Sequence, residues 1–291
     1  MASSYDTNYL KSRLNYYNKL TENTLLGDKA ISLEELKMPD RKRVYYFDTV
    51  EYTRFFPLQL KASFLFGDIT HVPDEPSFTK SRPIHGDNRN SVILKLEKAR
   101  HFMFVKYDKP FIDKKNMLVW RGVTRDKSQT RPHRMKFMEM HFNNPVCDLG
   151  KINDGGGPNE WKRGKLSIDQ HLEYKFILSL EGNDVASNLK WVMSSNSIAV
   201  MPKPKYETWF MEGTLIPDYH YIEIKDDYSD LGDKINYYIE NTDRALKIIE
   251  HAHDYVNQFR VREREDLLSL MVLERYFVIT GQMKPISTIG I

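Results

Sequence analysis

The chain has 291 residues, 41% of them hydrophobic and 29% charged, which suffices for one large or two modest domains with proper cores. Its formal charge of +3 does not by itself indicate nucleic-acid binding, although it suits a phosphate-bearing ligand or an anionic membrane surface. The single cysteine, Cys147, excludes an internal disulfide. Residues 1–8 lack the pattern of a signal peptide, and no apolar run approaches the ~20 residues of a membrane span. We therefore expect a cytoplasmic protein.

The first third of the chain predicts one helix and then an α/β unit. Apolar residues recur at helical spacing over residues 8–20, which predicts an amphipathic helix docked on the protein body, with a membrane surface as the alternative. Strands are predicted over residues 44–47 and 60–65, the second followed by Asp68. Residues 72–83 contain three prolines and are expected to form a long loop that lines a cleft.

A polar loop over residues 81–91 contains His85 and Asp87. It is too polar for a core and too compact for a disordered segment. Because a carboxylate on a loop before a helix is a common N-cap, Asp87 either caps a helix predicted over residues 91–99 or has a functional role.

An arginine and a glycine follow the short apolar strand predicted over residues 117–120. Glycine permits close approach of the backbone, and arginine binds phosphate oxygens bidentately, so Arg121 and Gly122 are well placed to hold a diphosphate. The helix predicted over residues 131–141 has a basic face and an apolar face, and we expect it to form a solvated surface.

The stretch from residue 174 onward has the order strand, turn, helix, strand. The strands are predicted over residues 176–180 and 197–201, and the helix over residues 186–194. This order is half of a doubly wound α/β domain, in which ligands bind at the carboxyl ends of strands and anions bind at helix N-termini. A phosphate is therefore predicted above residues 183–188.

The remaining elements are a short helix, a strand and two longer helices. They are predicted over residues 206–213, 219–224, 233–259 and 267–277, and we expect the last helix to pack back across both halves of the chain.

Four segments together resemble a known family: EGNDVASNLKW, SSNSIAVMPKPKYETWFMEG, LIPDYHYIEI and, upstream, Trp120-Arg121-Gly122. The match spans roughly residues 76–235 and is similar to glycosyltransferase family 90, the capsule-associated and protein O-glucosyltransferase-like family, with bacterial lipopolysaccharide glycosyltransferases nearest. The resemblance implies transfer of a sugar from a UDP-sugar to a hydroxyl of a glycan or lipid-linked glycan, in lipopolysaccharide or capsule. It also allows peripheral association with the inner membrane surface.

The resemblance implies an α/β fold with two Rossmann-like domains that face a cleft, the GT-B arrangement. On that basis residues 1–115 form an acceptor-side domain and residues 116–255 the donor-binding domain. Residues 256–291 then form a C-terminal helix and tail.

The resemblance also implies a set of site residues. Asp87 is the implied general base, since Ser77-Phe78-Thr79-Lys80 resembles the segment before the family's catalytic aspartate, and His85 is the alternative; an aspartate base implies inversion. The arginine that eukaryotic members carry after Ala-Ser is missing, and Lys190 is expected to replace it. The implied donor contacts are Arg121, Gly122, Arg125, Ser187, Asn188, Lys190, Glu207, Trp209 and Glu212.

Two further features bear on function. The chain has no Asp-X-Asp triplet, so we predict no metal site and no cofactor besides the donor, with Arg121 the main diphosphate ligand. Trp209 either stacks on the donor or packs in the core. A non-catalytic nucleotide-sugar or carbohydrate-binding protein is the alternative function. The chain is unlike an NAD-dependent oxidoreductase, since none of its predicted strands is followed by a Gly-X-Gly-X-X-Gly turn.

Overall fold

A computed structural model describes residues 6–22, 24–125 and 131–286 of the chain. The α-helices in these ranges are α1 Thr7–Tyr17, α2 Arg43–Thr53, α3 Lys98–His101, α4 Pro132–His141, α5 Ile168–His171, α6 Leu189–Met193, α7 Leu231–Glu240, α8 Thr242–Asn257 and α9 Arg262–Ile279. The strands are β1 Ile31–Ser32, β2 Lys61–Leu65, β3 Ser77–Thr79, β4 Ser81–Pro83, β5 Ser91–Ile93, β6 Lys115–Gly122, β7 Cys147–Lys151, β8 Tyr174–Leu178, β9 Ile198–Met201, β10 Tyr206–Thr208 and β11 Ile222–Glu223.

The second half of the chain is built on a parallel sheet with the strand order β11-β9-β8-β6-β7. Alternate residues of its central strands point into two different hydrophobic cores. Ile177 and Ala199 belong to the larger core, and Phe176 and Ile198 belong to the smaller one. Burial on both faces explains why these strands read as continuous apolar runs. The four strands predicted in this region are confirmed as β6, β8, β9 and β11, although β11 has only two residues.

The strand order of this sheet reverses at β6. The chain moves from β6 to β7 on one side, and then returns to β8 on the other side of β6 before continuing outward to β9 and β11. In open parallel sheets, such a reversal leaves a crevice at the carboxyl ends of the two central strands, and ligands bind there. The loops after β6 and β8 therefore border the expected ligand site.

The first half contains a smaller sheet with the order β1-β2-β3-β5, in which only β1 runs antiparallel. Three predictions here are wrong. Residues 72–83, predicted as a long loop, contain strands β3 and β4, and β3 pairs on both sides inside this sheet. Residues 44–47 lie in helix α2, because Tyr45 and Tyr52 recur at helical spacing on the side that packs against α9. The helix predicted over residues 91–99 begins instead as strand β5, which pairs with β3 inside the sheet. This sheet and the parallel sheet of the second half, with the helices around them, give the protein a mixed α/β architecture.

An antiparallel ribbon of β4 and β10 connects the two halves and places Arg82 opposite Glu207. The helix predicted over residues 206–213 is therefore wrong. Pairing with β4 draws residues 206–208 into a strand, and only Glu212–Thr214 forms a 3-10 turn. The larger hydrophobic core contains residues of both halves.

Helices from the two ends of the chain pack together. Leu10, Leu14 and Tyr17 of α1 are buried and α1 contacts α9, so the predicted docking of the first helix is confirmed. Helix α9 also contacts α2, as expected for a last helix that packs back on the first half. The helix predicted over residues 233–259 is two helices that meet at Asn241. Within the described ranges, no helix is long and apolar enough to cross a membrane.

Candidate functional site

A cavity of about 300 Å³ opens at the carboxyl ends of β8, β9 and β11. We call it the strand-end pocket. Its walls come from the loops after these strands, the start of α6 and one side of α4. The residues that line it are His133, Ser179, Leu180, Glu181, Gly182, Asn183, Val185, Ala186, Leu189, Met201, Pro202, Lys203, Pro204, Lys205, Tyr206, Glu212, Asp226 and Tyr228.

Arg134, in the first turn of α4, lies where the strand order reverses. Its guanidinium donates to the carbonyl of Val123, after β6, at 3.0 Å, and to the carbonyls of Leu180 and Glu181, after β8, at 2.8 and 2.9 Å. Burial lowers the pKa of Arg134 to about 10. Among the residues described, no carboxylate forms an ion pair with it. A half-buried cation that is held by carbonyls and not by a carboxylate remains available to an anion.

Arg131 adds a second cation to the same border, donating from Nη2 to Oδ1 of Asn183 at 3.0 Å. The helix predicted over residues 131–141 is confirmed. The expectation that it forms a solvated surface is wrong at Arg134, because the guanidinium turns inward under the loops after β6 and β8.

Glu181 supplies a carboxylate to the wall of the strand-end pocket. Its Oε1 accepts hydrogen bonds from the backbone N–H groups of Lys205 and Tyr206 at 2.8 and 3.3 Å. Burial raises its pKa to about 7, against the opposing effect of these two bonds. Glu181 thereby anchors the loop after β9 and presents a polar group to the pocket.

Two charged pairs fill the interface between the halves, which we call the seam. Lys190 and Glu212 form an ion pair in which both side chains are almost completely buried. Glu207 accepts from Nε of Arg82 at 2.7 Å, also in the buried interior. The Lys190 ammonium keeps the pKa of Glu212 below its usual value, against the effect of burial. These predicted donor ligands are thus engaged with partners inside the protein.

Trp209 also lies in the seam rather than on a ligand-accessible surface. Its ring is 1% exposed and stacks on Tyr17, with ring centroids 3.8 Å apart. Its Nε1 donates to Oε2 of Glu265 in α9 at 2.6 Å. Of the two alternatives for Trp209, the structure supports packing in the core.

A second cavity of about 230 Å³ borders the ends of β6 and β8 and brings four predicted donor residues together: Arg121, Gly122, Ser187 and Asn188. Arg121 is already engaged there, since Nη2 contacts Oδ1 of Asp148 at 2.6 Å. The helix predicted over residues 186–194 is shorter than expected, because α6 begins only at Leu189.

Arg125 lies apart from this group. It is exposed beyond the end of β6, where its side chain packs beside Gly155 and Gly156.

The two candidate bases lie on the surface. His85 and Asp87 are exposed, and neither lines the strand-end pocket or the second cavity. Asp87 accepts from the guanidinium of Arg89 at 2.7 Å, and these hydrogen bonds lower its pKa. It does not cap a helix, because β5 follows the loop.

A different carboxylate, Asp68, lies beside the strand-end pocket. It follows β2, and its Oδ2 accepts from Nδ2 of Asn183, in the pocket wall, at 3.1 Å. Lys80 contacts both Asp68, at 2.6 Å, and Asp184, at 2.7 Å. The electrostatic and hydrogen-bonding contribution of Lys80 lowers the pKa of Asp68, against the effect of burial. Asp68 therefore links the sheet of the first half to the pocket of the second.

Comparison with known proteins agrees with this geometry. The family model for glycosyl transferase family 90 matches residues 93–276, well over half of the chain. The O-glucosyltransferase LpsA of Dichelobacter nodosus is 40% identical over 269 residues, which cover 92% of this chain and 82% of that protein.

The chain belongs to glycosyltransferase family 90. It is a glycosyltransferase, as the resemblance implied. A more distant relative is uncharacterized protein 179R of Invertebrate iridescent virus 6, 28% identical over 109 residues, which cover 35% of this chain and 9% of that protein. A family 90 enzyme takes a sugar donor and a glycan acceptor, so the strand-end pocket is the candidate donor site.

Sequence reasoning missed two residues that the structure brings to this site. Arg134 has a detectable signal, a basic residue just after Pro132 at a helix start, but the same signal fits a solvated face. Asp68 stands after a predicted strand, where ligand-binding residues occur, yet nothing local distinguishes it from other acids at strand ends. Both depend on contacts with residues far along the chain.

Proposed function

We propose that this enzyme transfers a hexose from a UDP-sugar to a hydroxyl of a glycan acceptor, without a metal ion or other cofactor. The observation that carries the proposal is Arg134, a half-buried cation without a described carboxylate partner, which lines the second cavity next to the strand-end pocket at the ends of parallel strands. The relative named O-glucosyltransferase favours glucose as the transferred sugar. Lipopolysaccharide or capsule is the proposed acceptor class, and the cytoplasm the proposed location.

We propose further that the two halves correspond to the two Rossmann-like units of a GT-B arrangement, with the donor in the second half. Two features support this. Each half contains parallel strands, and Asn183, in the wall of the strand-end pocket, donates to Asp68 of the first half. The acceptor hydroxyl would then approach between Asp68 and the pocket.

Charge neutralisation is the main catalytic task of the donor site. The glycosidic bond breaks as negative charge builds on the leaving diphosphate, so cations already in place lower the barrier. Arg134 and Arg131 lie at the loop after β8, and Lys205 stands on the loop after β9. Unlike Arg134, Arg121 and Lys190 would have to leave the carboxylates of Asp148 and Glu212.

The acceptor hydroxyl needs a base, because it is a weak nucleophile until its proton is removed. Asp87 stays our prediction from the sequence, and Asp68 is the candidate that the geometry favours. Asp68 shares the cations Lys80 and Arg100 with the neighbouring acids Asp184 and Glu97, and Asn183 of the pocket wall contacts its second oxygen. Its lowered pKa keeps it ionised, as a proton acceptor must be at the start of the reaction. An attack assisted by either aspartate gives inversion.

Calorimetry with UDP in excess EDTA tests the donor site. We expect binding without divalent metal, and a requirement for Mg²⁺ or Mn²⁺ would contradict metal independence. A transfer assay with UDP-glucose and a panel of glycan acceptors then separates an enzyme from a binding protein. UDP binding without transfer to any acceptor, and without donor hydrolysis, would favour the non-catalytic alternative.

A further inference from the structure

The exposed side of helix α2 has an unusual distribution of side chains. Arg43, Phe47 and Arg54 lie on one side of the helix, since they are separated by four and seven residues. Phe47 is 60% exposed, while Asp48 and Thr49 are buried on the opposite side. Helix α2 buries Tyr45 and Tyr52 together with these polar groups, yet it leaves one phenyl ring in solvent, which its amphipathic arrangement does not require.

The apolar exposure continues beyond the end of the helix. Val44 is 42% exposed, and Phe55 and Leu58, just after α2, are 64% and 50% exposed. The guanidinium of Arg54 lies over the ring of Phe55, 4.9 Å from its centroid. We call the group of Arg43, Val44, Phe47, Arg54, Phe55 and Leu58 the α2 surface. Scattered single apolar residues are normal on a protein, whereas here four exposed apolar residues fall within fifteen positions, interspersed with arginines.

The charge of this segment is positive. Residues 41–58 contain the cations Arg41, Lys42, Arg43 and Arg54, and their only acids are Asp48 and Glu51. Both acids are ion-paired with Lys98, which comes from a different element. The arginines of the α2 surface therefore face solvent without a neighbouring acid from α2 that is free to neutralise them.

We infer that the α2 surface docks the enzyme on an anionic lipid bilayer. Phenylalanine and leucine side chains on a convex helix face insert at the boundary of headgroups and acyl chains, while arginine side chains extend to the phosphates. Anionic headgroups complement the cations of residues 41–54. The surface is a helix face and the turn after it, which suits a planar bilayer. The amphipathic helix α1 is not available for this role, since its apolar side is buried.

The α2 surface is connected to the candidate active site. Nζ of Lys42, just before α2, donates to the carbonyl of Phe66 at 2.6 Å, two residues before Asp68. The hydroxyl of Tyr45 donates to Glu97 at 2.8 Å, and Glu97 lies 3.9 Å from the Lys80 ammonium that holds Asp68. Docking through α2 thus brings this edge of the cleft close to the bilayer. The benefit of this placement, access to a lipid-linked acceptor, rests on the proposed function, whereas the docking itself does not.

Vesicle co-sedimentation of the full chain tests the inference. We expect binding to vesicles of phosphatidylglycerol and phosphatidylethanolamine, and little binding to phosphatidylcholine alone. Phe47→Ser/Phe55→Ser should weaken binding about tenfold or more, because two phenyl groups no longer insert. Arg43→Gln/Arg54→Gln should remove most of the preference for anionic lipid. Tyr107→Ser is the matched control, since Tyr107 is an aromatic residue 92% exposed next to Lys106, outside the α2 surface, and it should bind like the wild type.

Melting temperature and UDP calorimetry, measured on the same preparations, show whether each variant is folded and whether it binds the donor nucleotide. Both should be unchanged in the α2 variants. Wild-type protein that does not bind anionic vesicles would overturn the inference, as would a double phenylalanine variant that binds normally. A wild-type dimer that Phe47→Ser/Phe55→Ser converts to monomer, without vesicle binding, would assign the surface to a second copy and overturn it too. Vesicle binding without UDP binding would leave the docking intact and refute the proposed function instead.

Discussion

The strand-end pocket and the seam contain similar residue types, but their charges are arranged differently. In the seam, Lys190 contacts Glu212 and Arg82 contacts Glu207, so each charge is neutralised by a partner inside the protein. Beside the strand-end pocket, Arg134 is held by three backbone carbonyls and lies over the Trp120 ring, 5.7 Å from its centroid. The two regions lie side by side, and Glu212 belongs to the border of both.

The difference shows that pairing, more than residue type, separates structural charges from charges that bind a ligand. A buried pair costs several kcal/mol in lost hydration, which the mutual attraction offsets only if both partners stay in place. A cation held by carbonyls gains further stabilisation when an anion arrives. Residues of the pocket should thus affect donor binding and turnover, and residues of the seam should affect stability.

The largest expected effect concerns the boundary between the regions, where Asp68 lies. Asp68→Asn removes the proton acceptor and keeps the side-chain volume, so we expect turnover to fall by roughly 10² to 10⁴. Affinity for UDP should stay close to that of the wild type. Transfer rates at saturating donor and acceptor measure the effect.

Asp87→Asn and His85→Ala are the comparison variants for that measurement. The exposed positions of Asp87 and His85 predict smaller losses than Asp68→Asn causes. If Asp87→Asn abolishes transfer and Asp68→Asn does not, the base is Asp87 as the sequence predicted, and its loop must move to reach the pocket.

In the seam, Lys190→Met should leave Glu212 buried without its partner. We expect the free energy of unfolding to decrease by about 3–5 kcal/mol, as measured by urea titration. Lys190→Met/Glu212→Gln should recover part of this loss, because no uncompensated charge remains. Lys162→Ala, which breaks the exposed pair with Asp154, should have no measurable effect. A stable Lys190→Met variant with weakened UDP binding would instead place Lys190 at the donor.

In the second cavity, which Arg134 and Arg121 both line, Arg134→Lys should weaken UDP binding more than Arg121→Lys. Loss of a charge-assisted, bidentate contact costs about 1.5–3 kcal/mol, or roughly tenfold to a hundredfold in affinity. Arg121 keeps its contact with Asp148 and should matter less. Calorimetry with UDP provides the comparison. The opposite order would return Arg121 to the role of main diphosphate ligand that the sequence predicted.

The smallest effect is a pH dependence of stability that arises from Glu181. The pKa of Glu181 is raised to about 7 in the folded protein. Between the ordinary pKa of a glutamate and pH 7, the folded protein therefore holds a proton that the unfolded chain has released. The free energy of unfolding should therefore decrease as pH rises from about 5 to 8, by about 1–3 kcal/mol relative to Glu181→Gln. Urea titrations of both proteins across this range test it. Parallel pH profiles would mean that Glu181 titrates normally.

By itself the sequence determined the class of enzyme and the parallel sheet that forms the donor side. Strands β6, β8 and β9 are buried on both faces, so each reads as an apolar run whatever its neighbours are. The ordered motifs around these strands were sufficient to indicate the family. The loops that line the strand-end pocket were likewise predictable, because ligands bind where parallel strands end.

Only the tertiary structure decided which charged residues face a ligand and which elements the short segments form. Glu207 and Arg82 are 125 residues apart in sequence, and nothing near either one indicates that they pair. Residues 44–47 are β-branched and aromatic and were predicted as a strand, but they fold as part of helix α2, because α9 covers the buried side of that helix. Contacts between distant parts of the chain stabilise these arrangements, and local sequence patterns contain no information about such contacts.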